Sequence, residues 1–318
     1  MEGKFNRGIM YIEQGYKGNL GMWKYLVLPL GLLVLGIFNY ISTAMSPVSV
    51  DVMMRDLIDK LGSSTVLIIL LLPLALGLFV VWGWVKLVHE QTITSLTTSR
   101  KKVDWGRIFF AFSLWGLITI AITGIDIALS PEDYVFNFRL VPFLILLVIG
   151  VLLIPLQTSF EEYMFRGYMM QGIGLAFKNR WMPLIVTSVI FGAMHLGNPE
   201  VGKLGYGIMV YYIGTGLFLG ILTLMDEGLE LALGFHAANN LVGALLVTAD
   251  WTAFQTDSIY RDVSQPQLGW DVFVPVLVIY PILLVVFSKK YRWKNWKERL
   301  TGNVLSKERF VQLNTELV

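Results

Sequence analysis

Three short patterns in the second half of the chain set polar, proton-exchanging side chains inside stretches that are otherwise apolar. They are Glu161-Glu162-Tyr163-Met164-Phe165-Arg166, then Phe191-Gly192-Ala193-Met194-His195, then His236-Ala237-Ala238-Asn239-Asn240. An ionisable group in a membrane span costs about 2.5 kcal/mol or more at mid-depth, so each pattern is a functional candidate by default. Glu162 and Arg166 stand four apart, neighbours on one helix face in the favourable order for an ion pair. Glu161 sits about 100° around the same helix and has no equal share of that pair. One carboxylate is then structural and the other is left for chemistry. The bland alternative is that both glutamates only neutralise the arginine and a nearby basic loop. The histidines weigh against it, because two of the three in the chain, His195 and His236, fall in apolar stretches. His236 with Asn240, and Phe191 with His195, repeat the spacing of four, which turns each pair in one direction. His89 lies beside a basic loop and needs no special role. A fourth candidate acid, Asp126, stands alone near the end of its span.

These groups can make a hydrolytic site. A glutamate and a histidine can orient and deprotonate a water, while a histidine and an asparagine can donate hydrogen bonds to the oxyanion formed at an attacked carbonyl. The same set, Glu161, His195 and His236, could instead hold a zinc ion with an open position. Neither His-Glu-x-x-His nor Gly-x-Ser-x-Gly occurs. The chain has no cysteine, which excludes disulfides, thiolate nucleophiles and thiolate metal sites.

The elements that must position these residues are membrane helices. The chain is 55% hydrophobic and 15% charged over 318 residues, with a mean hydropathy of +0.62, whereas soluble domains carry about a quarter charged residues. A span needs roughly 20 apolar residues, and eight runs qualify: 24–44, 65–88, 107–129, 140–158, 181–196, 206–225, 229–249 and 271–287. The fourth is expected to continue as helix past Thr158 through the glutamates. The first has the length of a retained span rather than a signal peptide. The expected fold is an all-α bundle of about eight transmembrane helices, one membrane domain over 1–318, with its core at 140–249 and cytoplasmic tails at 1–23 and 289–318.

Basic residues mark every second loop. Lys4, Arg7, Lys17 and Lys24 precede the first span; Arg100, Lys101, Lys102 and Arg107 follow the second; Lys178 and Arg180 follow the fourth; a basic cluster from Lys289 to Arg299 follows the last. The positive-inside rule then puts both termini in the cytoplasm, and short loops suit a bacterial inner membrane. The acidic loop at 225–230 is the exception. Trp293 and Trp296 read as a cationic aromatic belt rather than a nucleic-acid contact. Gly216 and Gly220 read as a close helix contact within the monomer, and Val50–Leu61 as a short amphipathic surface helix. Depth poses a problem. Glu161 and His195 lie 17 and 15 residues from the basic turn at 178–180, roughly 23–26 Å along a helix, but His236 lies only six residues from Glu230. Tilt, a break at Gly172 or Gly174, or a kink at Pro155 are the available remedies.

The order Glu-Glu-x-x-x-Arg, Phe-x-x-x-His, His-x-x-x-Asn, each in a separate late helix, resembles the CAAX protease and bacteriocin-processing (CPBP or Abi) family, which includes type II CAAX prenyl endopeptidases. The resemblance covers about 140–249. It implies an eight-helix membrane protease with a polar cavity open to the cytoplasm, acting on a membrane-associated, in some relatives prenylated, peptide or protein. It implies that Glu161 activates water with His195, that His236 and Asn240 stabilise the oxyanion, and that Glu162, Arg166 and Phe191 support them. Zinc stays conditional, and nucleic acid is not an expected partner. Two other readings compete. One is a non-catalytic membrane binder, an immunity or scaffold protein that retains the core. The other is a proton-coupled transporter, which the lack of inverted repeats disfavours.

Overall fold

The structure is a computed structural model and describes residues 10–316, so Lys4 and Arg7 of the first basic cluster lie outside the described residues. The chain is an all-α integral membrane protein. Thirteen helices are present among the described residues: α1 (Met22–Met45), α2 (Val50–Leu61), α3 (Ser63–Leu87), α4 (Ile93–Thr97), α5 (Trp105–Leu129), α6 (Leu140–Phe177), α7 (Trp181–Ala193), α8 (Pro199–Leu204), α9 (Met209–Asp226), α10 (Glu230–Leu246), α11 (Trp270–Tyr291), α12 (Trp296–Thr301) and α13 (Lys307–Glu316). Strands β1 (Tyr134–Phe136), β2 (Val247–Ala249) and β3 (Tyr260–Asp262) form a small sheet, β3 running antiparallel to β1 and parallel to β2.

Six helical stretches are long and apolar enough to cross a membrane: α1, α3, α5, α6, α11, and the run from Pro199 through α9 to Asp226. The expected count of eight is not reached, and the two runs that fall short are those carrying the histidines. Helix α7 has 13 residues and α10 has 17, about 20 and 26 Å against a hydrocarbon core of about 30 Å. They differ in burial: α7 keeps one face exposed through Trp181, Ile185 and Val189, and α10 is the inner element. Every residue of α10 from Glu230 to Ala238 is buried, whereas Pro29 is the single buried residue of α1.

Small residues let α10 sit at the centre. A side chain at Gly234 would collide with the backbone of α5 at Ile108 and Phe112, so α10 lies directly against α5, two residues before His236. The expected contact at Gly216 and Gly220 is present inside the monomer. A Cβ on Gly216 would lie 2.9 Å from the Ser188 carbonyl of α7, and one on Gly220 2.6 Å from Leu184. Backbone-to-backbone packing of this kind fixes α9 against α7 where no polar contact could.

The depth problem is solved by a route the sequence did not suggest. Helix α6 is unbroken from Leu140 to Phe177, passing through a π-helical turn at Tyr163–Met169. Gly172 and Gly174 are not breaks; they admit the Tyr25 ring and the Ile12 side chain. The loop before α10 is instead recessed into the bundle. Leu229 and Glu230 are fully buried, Leu229 N donates to the Thr97 carbonyl at 2.8 Å, and the Thr97 and Tyr163 hydroxyls share a 2.7 Å hydrogen bond. With α10 starting at the level of Tyr163, His236 meets Glu162 after fewer than two turns.

The segments expected as tails are folded onto this basic-loop face. A 3-10 helix at Ile12–Lys17 is buried from Ile12 to Tyr16, and Val304 and Phe310 pack against it. Trp293 departs from the aromatic-belt expectation: it is 8% exposed, stacks near Phe287 and donates its indole N–H to Asp226 at 3.1 Å. An indole whose N–H finds a buried carboxylate is better placed inside than at a lipid interface. Trp296 keeps about a third of its surface exposed.

Candidate active site

The two glutamates part as their angular offset requires. Glu162, the last residue before the π turn, is fully buried and accepts a hydrogen bond from Arg166 at 3.0 Å within the same helix. Arg166 is also fully buried; its other terminal nitrogen donates to the Gly216 carbonyl at 3.0 Å, and its guanidinium lies 4.3 Å over the Phe191 ring. The carbonyl, ring and carboxylate together replace the hydration that a buried guanidinium loses. Glu161 turns to another side, remains 13% exposed, and accepts from Gln157 at 2.5 Å.

His236 joins the two carboxylates. Its Nδ1 is 2.8 Å from Glu162 Oε1, and its Nε2 is 3.6 Å from Glu161 Oε2. With Nδ1 donating to the carboxylate, Nε2 is aimed at the glutamate that Arg166 does not neutralise. Phe191 packs edge-on to the His236 ring at 5.9 Å, so the motif's phenylalanine supports both Arg166 and His236.

His195 is held differently. Its Nδ1 lies 2.8 Å from the Phe191 carbonyl, one turn back. A carbonyl only accepts, so Nδ1 carries the proton and Nε2 is an acceptor. Its ring stacks on Tyr212 of α9 at 4.3 Å and 21°. The direct partner of Glu161 is therefore His236 rather than His195. Asn240 donates to Gln157 Oε1 at 3.2 Å and accepts from Asn239 at 3.1 Å, while Asn239 accepts from the Trp115 indole at 3.1 Å.

All seven residues singled out from the sequence thus converge on one mid-bundle node. Two partners were missed. Gln157 bridges Glu161 and Asn240, and its signal was available: a polar residue in an apolar run, one turn before Glu161. Tyr212 had no such signal, because nothing local distinguishes it from the neighbouring Tyr211. Two candidates stay apart from the node. Asp126 accepts the Tyr134 hydroxyl. His89 is buried between the Asn19 carbonyl and the Tyr168 hydroxyl, 3.2 and 3.1 Å away; burial pushes its pKa down to about 4, so it stands neutral as a structural group.

On the side of the basic loops Tyr163, Thr97, Leu229 and Glu230 are buried. The remaining exposure belongs to Glu161, His195, Asn239, Asn240 and Tyr212. Among the described residues no three His, Asp or Glu side chains are grouped to hold a metal ion. The contacts between Glu161 and His236 do not extend to His195 as a third ligand.

Residues 137–242 match the family model described as type II CAAX prenyl endopeptidase Rce1-like. That span contains all three motifs, and the family is the one their order resembles. The chain is also 28% identical over 287 residues to YyaK, an uncharacterized protein of Bacillus subtilis (strain 168), across 87% of this chain and 96% of that protein. No solved structure matches the chain. At the level of the family, the match supports an intramembrane protease of the CAAX type.

Proposed function

We propose that this chain is an intramembrane endopeptidase that hydrolyses a peptide bond of a membrane-associated protein or peptide, prenylated CAAX substrates included, with a water activated by glutamate and histidine. The observation that carries this reading is the unequal treatment of the paired glutamates. Glu162 is neutralised by Arg166 and bonded to His236 Nδ1; among the described residues Glu161 has no ion-pair partner except His236 Nε2.

Glu161 acts as the general base on the attacking water, and the unprotonated His195 Nε2 accepts that water's second hydrogen bond. As the carbonyl oxygen gains charge, His236 Nε2 donates to it. The Glu162 carboxylate at Nδ1 fixes the ring orientation for that donation. Asn240, held by Gln157 and Asn239, supplies the second oxyanion donor. The proton on Glu161 then passes to the leaving amine, which completes hydrolysis with atoms and charge balanced. Burial of Arg166 and Glu162 gives the imidazole a fixed support that does not reorganise during the reaction. The basic-loop face is cytoplasmic in this reading, and the membrane is a bacterial inner membrane.

The test is cleavage by purified protein in detergent of a prenylated CAAX peptide and a library of membrane-derived peptides, with and without chelator. Cleavage by the wild type that disappears in Glu161→Gln supports the reading, and chelator sensitivity decides whether a metal takes part. Normal turnover by Glu161→Gln overturns it. Retained peptide binding with no cleavage of any peptide would favour the non-catalytic binder that keeps the protease core.

A further inference from the structure

Beyond the node, one more carboxylate has chemistry left over. Glu200 stands on α8, the six-residue helix that follows His195 after a short turn. Its Oε1 accepts the Ala253 N–H at 2.8 Å, while its Oε2 is shut from solvent with no protein partner. The Trp251 indole N–H, two residues before Ala253, is likewise buried without an acceptor. The cation on the same helix is already taken, since Lys203 pairs with Asp51 of α2 at 2.9 Å. Among the described residues no other Lys, Arg or His forms an ion pair with Glu200.

The surroundings of this carboxylate are aromatic. Trp251, Tyr211 and Tyr212 pack against Val201 and Leu204 of α8, with Tyr211 edge-on to Tyr212 at 5.9 Å. Tyr212, one of the rings packed on the helix that carries Glu200, is also stacked on His195 at 4.3 Å. Glu200 is therefore one ring removed from the node. A carboxylate turned from water without a cation is costly to keep, and the faces of tryptophan and tyrosine attract cations. A free carboxylate oxygen on a helix packed by three such rings has the chemistry of a receptor for an alkylammonium or guanidinium group.

We propose that Glu200, Tyr211, Tyr212 and Trp251 form a binding site for an organic cation carried by the substrate, a lysine or arginine side chain or a terminal amine, beside the scissile bond. The assignment of the cation to a substrate rests on the endopeptidase reading; the cation site itself does not. Bound there, the cation completes the charge of Glu200 and presses on Tyr212, the ring that seats His195. Specificity for a charged residue near the cut then follows from the penalty of leaving Glu200 unpaired with a neutral substrate.

The experiment uses the full-length protein in detergent with hexylammonium as the probe and 1-hexanol as its neutral counterpart, read by calorimetry and tryptophan fluorescence. Wild type is expected to bind hexylammonium more tightly than hexanol, and Glu161→Gln is expected to bind it equally well. Glu200→Gln is expected to bind hexylammonium about tenfold or more weakly. Glutamine keeps an oxygen for Ala253 N–H, and an unchanged melting temperature checks the fold. Should that variant fail to fold, Trp251→Phe is the second, with a loss of about threefold. Equal binding of amine and alcohol, or unchanged binding by Glu200→Gln, overturns the cation site, and neither result depends on proteolysis. A second arm compares cleavage of peptides differing only by lysine against norleucine. Preference for lysine that collapses in Glu200→Gln ties the cation to the substrate. A preference unaffected by that variant, with hexylammonium binding lost, overturns the substrate assignment and leaves a free amine as the occupant.

Discussion

Two regions of this molecule bury carboxylates beside arginines, and they balance them differently. On the basic-loop face, Glu13, Asp226, Glu227 and Glu230 are matched by Arg180, Arg100, Arg107 and Arg299. Further donors reach each of these carboxylates: Leu305 N on Glu13, Trp293 on Asp226, Tyr11 N on Glu227 and Asp104 N on Glu230. In the mid-bundle node two glutamates share one arginine and a histidine. Matched charge, with added backbone and indole donors, makes a lattice that holds the N-terminal helix, the recessed loop and the C-terminal segment together. Two carboxylates that share one permanent cation and a proton-exchanging imidazole make a site where a proton can move. The same contrast explains why the acidic loop at 225–230 departs from the loop-charge pattern: its acids are bound internally by arginines from other segments and are not a topogenic signal.

The largest effect that would test this contrast is on activity. Glu161→Gln removes the unmatched carboxylate at constant volume; hydrolysis is expected to fall by about a thousandfold while the melting temperature stays within a degree or two of wild type. Substantial destabilisation in that variant would place Glu161 with the structural acids and break the comparison. Arg166→Met leaves Glu162 buried and unpaired, so a loss of about 3–5 kcal/mol is expected in denaturant unfolding. The double variant Glu162→Gln/Arg166→Met is expected to recover part of it, the coupling being the measured quantity.

A smaller effect is expected at Glu227, whose pKa burial pushes up to about 7 against the pull of Arg180 and Arg299. The group binds its proton more tightly folded than unfolded. Its contribution is therefore fully present below its unfolded value of about 4.3 and is lost as pH rises through about 7. Glu227→Gln is expected to flatten the stability profile between those limits by roughly 1–3 kcal/mol; an unchanged slope in pH-dependent thermal unfolding would remove Glu227 from the lattice. The smallest effect is expected from Lys203→Met, which deletes the partly exposed pair with Asp51 at 2.9 Å. Such pairs contribute about 0–1 kcal/mol, so the melting temperature should barely move. A large drop would show that α8 is held by charge rather than by its apolar packing.

Much of the node was legible because its pairs are local. Glu162 with Arg166 follows from helical spacing alone, and so does the separation of Glu161 from that pair. Gln157 was legible by the same rule and was passed over, since an amide in an apolar run carries less cost than a charge and draws less attention. The joining of His236 to Glu162 was not legible, because it depends on a loop sunk into the bundle and on the fit of Gly234 against α5. Depth counted along straight helices from a common surface gave the wrong height for α10, as that count assumes loops lie at the surface. Trp293 was misread for a related reason: interfacial tryptophan is common next to basic residues, and only the position of Asp226 shows where its indole N–H goes.

The amino-acid sequence by itself determined that this chain lives in a membrane, which runs are helical, and which side chains share a helix face. Those are consequences of transfer free energy and of a repeat of 3.6 residues, both of which act within a single segment. The tertiary structure alone decided which faces meet, that two of the eight runs are short helices of which α10 is central, and that the N- and C-terminal segments close one face. It also decided that one of two adjacent glutamates keeps its charge unmatched. These outcomes rest on close packing and on charge compensation between residues far apart in the chain, where a single glycine or a recessed turn changes which groups come within bonding distance.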